Sequence, residues 1–103
     1  MAGTWFTIAR AGQLPEGEML EVECAGREVC LYNLNGTLYA TEAKCTHGDA
    51  SLADGCIVGE EVECPFHQGL FHIPSGRATG APCTEDLQVY PVRQEDDQIA
   101  IFL

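Results

Sequence analysis

Residues 45–82 read CTHGDASLADGCIVGEEVECPFHQGLFHIPSGRATGAP, and two short motifs in this stretch decide the chemistry of the chain. Cys45-Thr46-His47 has the form C-x-H, and after sixteen intervening residues Cys64-Pro65-Phe66-His67 has the form C-x2-H. Each motif offers one thiolate and one imidazole from a short loop. Two such motifs suit two metal ions, with thiolates on one ion and neutral imidazoles on the other. We therefore predict a [2Fe-2S] cluster in which two His replace two Cys on one iron, with Cys45, His47, Cys64 and His67 as its ligands.

The alternative interpretation of the same four residues is a structural zinc site, which also takes two Cys and two His. Zinc knuckles and ribbons usually pair like ligands on one turn, as C-x2-4-C or H-x3-5-H. Each loop here mixes one Cys with one His, which favours two metals with segregated ligands. A colourless protein with bound zinc and no acid-labile sulfide would support the zinc alternative.

The rest of the chain has the pattern of short strands and turns. Residues 20–24 alternate apolar and acidic side chains, as in a half-buried strand. Asn35-Gly36 separates two strand-like runs and predicts a hairpin, because both turn residues readily adopt positive φ. Residues 87–90 and 98–102 are predicted to form a second hairpin through residues 95–97. No segment keeps a helical period over ten or more residues, so we predict an all-β chain.

The stretch 44–83 interrupts this pattern with many Gly and Pro residues, which mark tight loops. Within it, residues 61–63 have the pattern of a short strand that leads into the second motif. We predict a single domain, residues 1–103, built as an antiparallel β-sandwich. A small inserted sub-domain, about residues 44–83, is predicted to carry both ligand loops at its tip.

Residues 45–82 resemble the cluster-binding segment of Rieske ferredoxins. The resemblance extends more loosely over the chain, through stretches such as TWFTIAR and GTLYATEAKCTHGDASLADG, to the small ferredoxins of bacterial aromatic-ring-hydroxylating dioxygenase systems. It implies the Rieske fold and one cluster per chain. It also implies that the two Cys hold the inner iron, that the two His hold the outer iron, and that Gly80-Ala81-Pro82 covers one side of the cluster.

The function implied by the resemblance is one-electron transfer without substrate chemistry. Such a ferredoxin takes electrons from an NADH-dependent flavoprotein ferredoxin reductase. It passes them to a terminal Rieske non-haem iron oxygenase in aromatic compound degradation. The chain would thus be a component of a multicomponent dioxygenase and not itself an enzyme.

Four positions depart from the Rieske proteins of respiratory and photosynthetic cytochrome complexes. Those proteins carry a disulfide between the cluster loops, but the matching positions here are Ala50 and Phe66. They also place a Ser and a Tyr whose hydroxyls hydrogen-bond the cluster and Cys sulfurs, where this chain has Gly69 and Phe71. Because such bonds stabilise the reduced state, we expect a potential near the bottom of the Rieske range of about −150 to +300 mV.

Competing functions are limited by what the sequence contains. An oxygenase would need a second iron site with two His and a carboxylate, but of the three His in the chain two are already assigned. A reductase would need a nucleotide-binding loop, and no G-x-G-x-x-G is present. A Rieske-like small subunit of a reductase such as nitrite reductase stays open as an alternative, although the four intact ligands favour the carrier.

The net charge of −11, from 16 acidic and five basic residues, argues against nucleic acid or anionic lipid as a partner. It favours electrostatic steering toward basic patches on redox partners. No apolar run approaches the length of about 18 residues that spans a bilayer, and no secretion signal is recognisable at the start. We expect a cytoplasmic protein, with a monomer as the usual state for a carrier of this size.

The remaining Cys and His are predicted to lie outside the ligand set. Cys24 and Cys30 fall in strand-like runs and are expected to be buried, since a free Cys behaves as a small hydrophobe. Cys56 and Cys83 are expected in loops near the site. His72 is expected at the surface or in a hydrogen bond.

Overall fold

A computed structural model describes residues 3–46, 50–65, 69–81, 83 and 85–103. These residues form strands joined by turns, with two short 3-10 helices at Ala11–Gln13 and Leu52–Asp54. The strands are β1 (Trp5–Arg10), β2 (Met19–Cys24), β3 (Arg27–Leu34), β4 (Thr37–Glu42), β5 (Cys56–Val58), β6 (Glu61–Glu63), β7 (Leu70–His72), β8 (Ala78–Gly80), β9 (Val89–Tyr90), β10 (Val92–Glu95) and β11 (Gln98–Phe102). The prediction of an all-β chain is confirmed. No helix in the described part of the chain is long and apolar enough to cross a membrane.

The strands are arranged in antiparallel sheets with the orders β1-β11-β10, β2-β3-β4-β9 and β5-β6-β7-β8. The third sheet, Cys56–Gly80, lies within the segment for which an inserted sub-domain was predicted. Its four strands have three residues each, whereas β3 in the second sheet has eight. The limits of the sub-domain stay a prediction.

Strand β3 separates two buried cores, because successive side chains of a strand point to opposite faces. Val29 and Leu31 enter one core, while Cys30 and Tyr32 enter the other. We call the first the scaffold core; its buried members are Ala9, Leu14, Cys24, Val29, Leu31, Ala40, Ile99 and Ile101. We call the second the site core; its buried members are Cys30, Tyr32, Ala43, Cys45, Ala50, Leu52, Val62, Cys64, Phe71, Ile73, Cys83 and Leu87.

The Asn35-Gly36 hairpin is confirmed. Leu34 pairs with Thr37 across it, and φ is 55° at Asn35 and 94° at Gly36. Both central residues of a two-residue I′ turn need such positive φ, which Asn and Gly adopt at little cost. The turn is reinforced by the Gly36 N–H, which donates to the Asn33 Oδ1 at 2.8 Å.

The prediction for the second hairpin is right about the turn and wrong about one strand. Strand β11 pairs across residues 96–97 with β10, Val92–Glu95, and not with residues 87–90. Strand β9 instead pairs with β4, through Ala40 and Tyr90. Pro91 separates β9 from β10, and its carbonyl accepts from the Phe102 N–H at 3.0 Å. A proline has no N–H for a continuous ladder, so the chain changes sheets at this residue.

Candidate metal centre

The first ligand loop leaves the end of β4 and is closed by backbone hydrogen bonds. The Cys45 N–H donates to the Ala50 carbonyl at 2.9 Å, and the Leu52 N–H donates to the Ala43 carbonyl at 2.7 Å. Lys44 and Ser51 form an isolated antiparallel bridge beside them. These contacts turn the chain back on itself, so that Cys45 is held inside, with 2% of its surface exposed.

The second ligand loop joins β6 to β7 and repeats the same closure. The Cys64 N–H donates to the Gly69 carbonyl at 2.8 Å, again five residues further along the chain. Glu63 pairs with Leu70 directly outside this loop. Cys64 is also 2% exposed and belongs to the same core as Cys45. Two loops from different sheets thus present their first donors to one buried volume.

The two predicted imidazole ligands, His47 and His67, lie outside the described residues. Within the described ranges, no group of three or more His, Cys, Asp or Glu side chains could hold a metal ion. The structure therefore brings together the two predicted thiol donors, Cys45 and Cys64. The assignment of the imidazoles stays a prediction.

A close backbone contact links the first loop to the strand that leads into the second. A Cβ built on Gly55 would lie 1.9 Å from the Glu63 carbonyl oxygen, which is far inside van der Waals contact. Only glycine lets the end of the Leu52–Asp54 helix approach β6 this closely. The contact lies one residue before Cys64, so it fixes the position of this predicted ligand relative to the loop of Cys45.

A third loop, between β8 and β9, packs over the first. The Thr46 hydroxyl donates to the Glu85 carbonyl at 2.8 Å, and the Leu87 N–H donates to the Gly76 carbonyl at 2.7 Å. Asp86 accepts from the Ala78 N–H through Oδ1 at 2.9 Å. This loop therefore covers the Cys45 side of the centre and is tied to both the first loop and the third sheet.

Cys83 lies in this third loop and contacts the predicted ligand Cys45. It is buried, and its Sγ lies 3.9 Å from the Cys45 Sγ. Burial, with a smaller effect of the neighbouring Cys45 and Cys64 thiols, raises the pKa of Cys83 to about 12. The sequence places this residue near the site, but no spacing signal indicates its contact with Cys45, because the two are 38 residues apart.

The positions of the remaining Cys and His residues match the predictions except at Cys56, which was expected in a loop and instead begins strand β5. Cys24 and Cys30 are buried in strands, and none of the six Cys forms a disulfide. Cys56 is exposed at the start of β5, where the Glu63 carboxylate accepts from its thiol at 3.4 Å and raises its pKa. His72 is half-buried, with its Nδ1 2.7 Å from the Ser75 hydroxyl, as expected for a hydrogen-bonding residue.

Comparisons with known proteins identify the family of this chain. The family described as "Rieske [2Fe-2S] domain" matches residues 4–91. The ferredoxin component of the naphthalene 1,2-dioxygenase system of Pseudomonas aeruginosa is 42% identical over 103 residues, which is 100% of this chain and 99% of that protein.

Solved structures are similar over nearly the whole chain. The Sphingomonas yanoikuyae B1 ferredoxin has a TM-score of 0.91 at 34% identity, covering 97% of this chain and 99% of that one. A chain in the complex of reduced oxygenase and oxidized ferredoxin in carbazole 1,9a-dioxygenase has a TM-score of 0.88 at 34% identity. The match covers 94% of this chain and 91% of that one. A putative nitrite reductase small subunit from Mycobacterium tuberculosis has a TM-score of 0.88 at 21% identity over 100% and 97%, which shows a shared fold alone.

Proposed function

This chain belongs to the Rieske [2Fe-2S] domain family, and from that membership we propose that it is the ferredoxin component of a multicomponent aromatic-ring dioxygenase system. In this role it accepts single electrons from an NADH-dependent flavoprotein ferredoxin reductase. It passes them to a terminal Rieske non-haem iron oxygenase. The observation that carries the proposal is the match along the full length to a naphthalene dioxygenase ferredoxin component.

The thiols of Cys45 and Cys64 fit a Rieske [2Fe-2S] cluster. Cys45 and Cys64 are held in buried loops of matching closure, and thiolates are the protein ligands that iron–sulfur clusters use. We assign these two residues to one iron, and His47 and His67 to the other. When bound, the cluster stores one electron at a time. We further assign residues 44–83 to the cluster-binding sub-domain of a single domain.

The residues around the two thiols exclude water from the buried side of the centre. Phe71 is 0% exposed in the middle of β7 and pairs with Val62 of β6, which is also 0% exposed. Such an apolar wall lowers the local dielectric and so disfavours the extra negative charge that reduction brings. This arrangement supports the low potential expected from the sequence.

The acidic composition supports partner docking through charge. With a net charge of −11, the chain attracts basic patches on a reductase or an oxygenase at a distance, which raises encounter rates at low ionic strength. We place the protein in the cytoplasm, as a monomer. Reduction by the reductase is expected to slow as salt rises from low to physiological concentration, and stopped-flow kinetics would measure this. A rate that is independent of salt would contradict steering.

The direct test is reconstitution. The purified chain should carry iron and acid-labile sulfide in equal amounts and should be reduced by NADH through a ferredoxin reductase. It should also support product formation by a terminal oxygenase from an aromatic substrate. Omitting the chain should abolish product. A colourless protein with zinc and no sulfide, or a loaded protein that no oxygenase oxidises, would contradict the proposal; the first result would favour the zinc alternative.

A further inference from the structure

The hydrogen bond between Cys83 and Cys45 has only one possible direction when the cluster is bound. The two Sγ atoms lie 3.9 Å apart, within hydrogen-bonding range for sulfur, and both residues are buried. A Cys bound to iron is a thiolate and carries no proton, so it can only accept. A free thiol keeps its proton at neutral pH and can donate weakly. In the loaded protein the bond therefore runs from the Cys83 S–H to the Cys45 sulfur.

Gly69 provides the space that this contact needs. A Cβ built on Gly69 would lie 2.1 Å from the Cys83 Sγ and 3.3 Å from the Cys83 Cβ. Any larger residue at position 69 would displace the thiol. The Gly69 carbonyl at the same time accepts from the Cys64 N–H. One residue thus closes the loop of the second cysteine ligand and admits the partner of the first.

We propose that Cys83 is a positioning residue of the cluster, donating a hydrogen bond to the Cys45 sulfur through the gap left by Gly69, and that this bond raises the reduction potential. The proposal rests on the proposed function only in that Cys45 binds the cluster. Reduction adds negative charge that is shared by the ligand sulfurs, and a donor at one sulfur stabilises the reduced state more than the oxidised state.

The test compares Cys83→Ala with Cys83→Ser, which are close in size and differ by one hydroxyl. At a fixed applied potential, Cys83→Ala should lower the ratio of reduced to oxidised protein about threefold, which for one electron is a shift of about 28 mV to lower potential. Cys83→Ser retains a hydrogen-bond donor, so its ratio of reduced to oxidised protein should be higher than that of Cys83→Ala. Cys24→Ala serves as the control, since Cys24 is a buried Cys of the scaffold core, and should leave the ratio unchanged.

Infrared difference spectra supply a reading that does not depend on turnover. In the wild-type protein one S–H stretching band should shift between the oxidised and reduced states, because its acceptor becomes more negative. That band should be absent in Cys83→Ala and present in Cys24→Ala. The proposal is overturned if the ratio of reduced to oxidised protein in Cys83→Ala equals or exceeds that of the wild-type protein. It is also overturned if the ratio in Cys83→Ser is no higher than in Cys83→Ala, or if the shifting S–H band is still present in Cys83→Ala.

The role of Gly69 is tested by a double-mutant cycle on the melting temperature. Gly69→Ala should lower the melting temperature in the wild-type background, because its Cβ meets the Cys83 Sγ. In the Cys83→Ala background the loss should be much smaller, since the clashing atom is gone. Equal losses in the two backgrounds would overturn the steric part of the proposal. A protein that binds no cluster at all would instead refute the proposed function.

Discussion

The scaffold core and the site core share strand β3, yet they are built from different side chains. The scaffold core is largely aliphatic, with Ile99 and Ile101 fully buried beside Val29 and Leu31. The site core contains four of the six cysteines, which are Cys30, Cys45, Cys64 and Cys83. Burying an aliphatic side chain contributes about 1.5–3 kcal/mol, so the scaffold core is stabilised by its own residues. Two of these thiols, Cys45 and Cys64, are the proposed cluster ligands, so we expect the part of the site core around them to depend on the cluster.

The strands show the same difference. Strand β1 has six residues and β11 has five, whereas each strand of the β5–β8 sheet has three. Short strands form few ladder hydrogen bonds and are marginal without further support. We therefore expect the scaffold core to fold with or without the cluster, while the β5–β8 sheet should depend on it.

Removing one thiol donor should abolish cluster binding. Cys64→Ala is expected to lose the visible absorption and the acid-labile sulfide completely, because the inner iron loses one of its two protein ligands. Iron and sulfide analysis of the purified variant would measure this. Cys24→Ala, which alters the scaffold core, should keep the full cluster content. If Cys64→Ala retained a stoichiometric cluster, the ligand assignment would be wrong.

Truncating a scaffold residue should destabilise the fold without changing the cluster. Ile101 is 0% exposed between β1 and β10, so Ile101→Ala should lower the free energy of unfolding by about 2–5 kcal/mol. Denaturant unfolding followed by circular dichroism would measure it. Val58→Ala is the matched control, because Val58 is 53% exposed and its truncation should change stability by no more than about 0.5 kcal/mol. An equal loss in both variants would contradict the description of the scaffold core.

Removing the cluster should loosen the β5–β8 sheet and spare the β1-β11-β10 sheet. Hydrogen exchange of the amides in β5–β8 is expected to accelerate at least about tenfold on cluster removal. This acceleration corresponds to a loss of about 1.4 kcal/mol in the free energy of local unfolding. The amides of β1, β10 and β11 should keep their protection. Comparing loaded and cluster-free protein by hydrogen-exchange mass spectrometry would show this. Uniform loss of protection over all three sheets would mean that the two cores unfold as one.

Much of this organisation could be predicted from local patterns in the sequence. The alternation of residues 20–24 predicted strand β2, and the Asn35-Gly36 dipeptide predicted the β3–β4 hairpin, because strand period and turn chemistry are local properties. The two C-x-H-type motifs identified both buried thiols for the same reason. A motif states which donors a short loop offers, and here both Cys are buried in one core.

Other features depend on contacts between residues distant in sequence. Residues 87–90 have a strand pattern, but β9 pairs with β4 and not with β11, because the chain changes sheets at Pro91. The Cys45–Cys83 contact joins two loops 38 residues apart and requires the missing Cβ of Gly69. A glycine in a loop predicts a turn from the sequence alone. That its missing Cβ makes room for another side chain can be seen only in the folded structure.

The site core should also respond to alkaline pH through Cys30. Burial raises the pKa of the Cys30 thiol from 9.0 to about 12. Below pH 9 both the folded and the unfolded chain keep this proton, so the thiol does not affect stability. Between pH 9 and 12 the unfolded chain releases the proton first, and the free energy of unfolding should fall by roughly 1 kcal/mol per pH unit.

Denaturant unfolding of the cluster-loaded protein from pH 8 to 11 would measure this slope. Cys30→Ala removes the titrating thiol from β3 and should make the slope shallower, whatever it costs in stability at neutral pH. Part of the slope should remain in this variant, because burial also raises the pKa of Cys83 to about 12 and raises the pKa of Tyr32. If Cys30→Ala kept the full slope of the wild-type protein, the alkaline loss would originate elsewhere. Comparing slopes instead of absolute stabilities separates the titration from the cavity that the substitution leaves, because a cavity lowers stability equally at every pH.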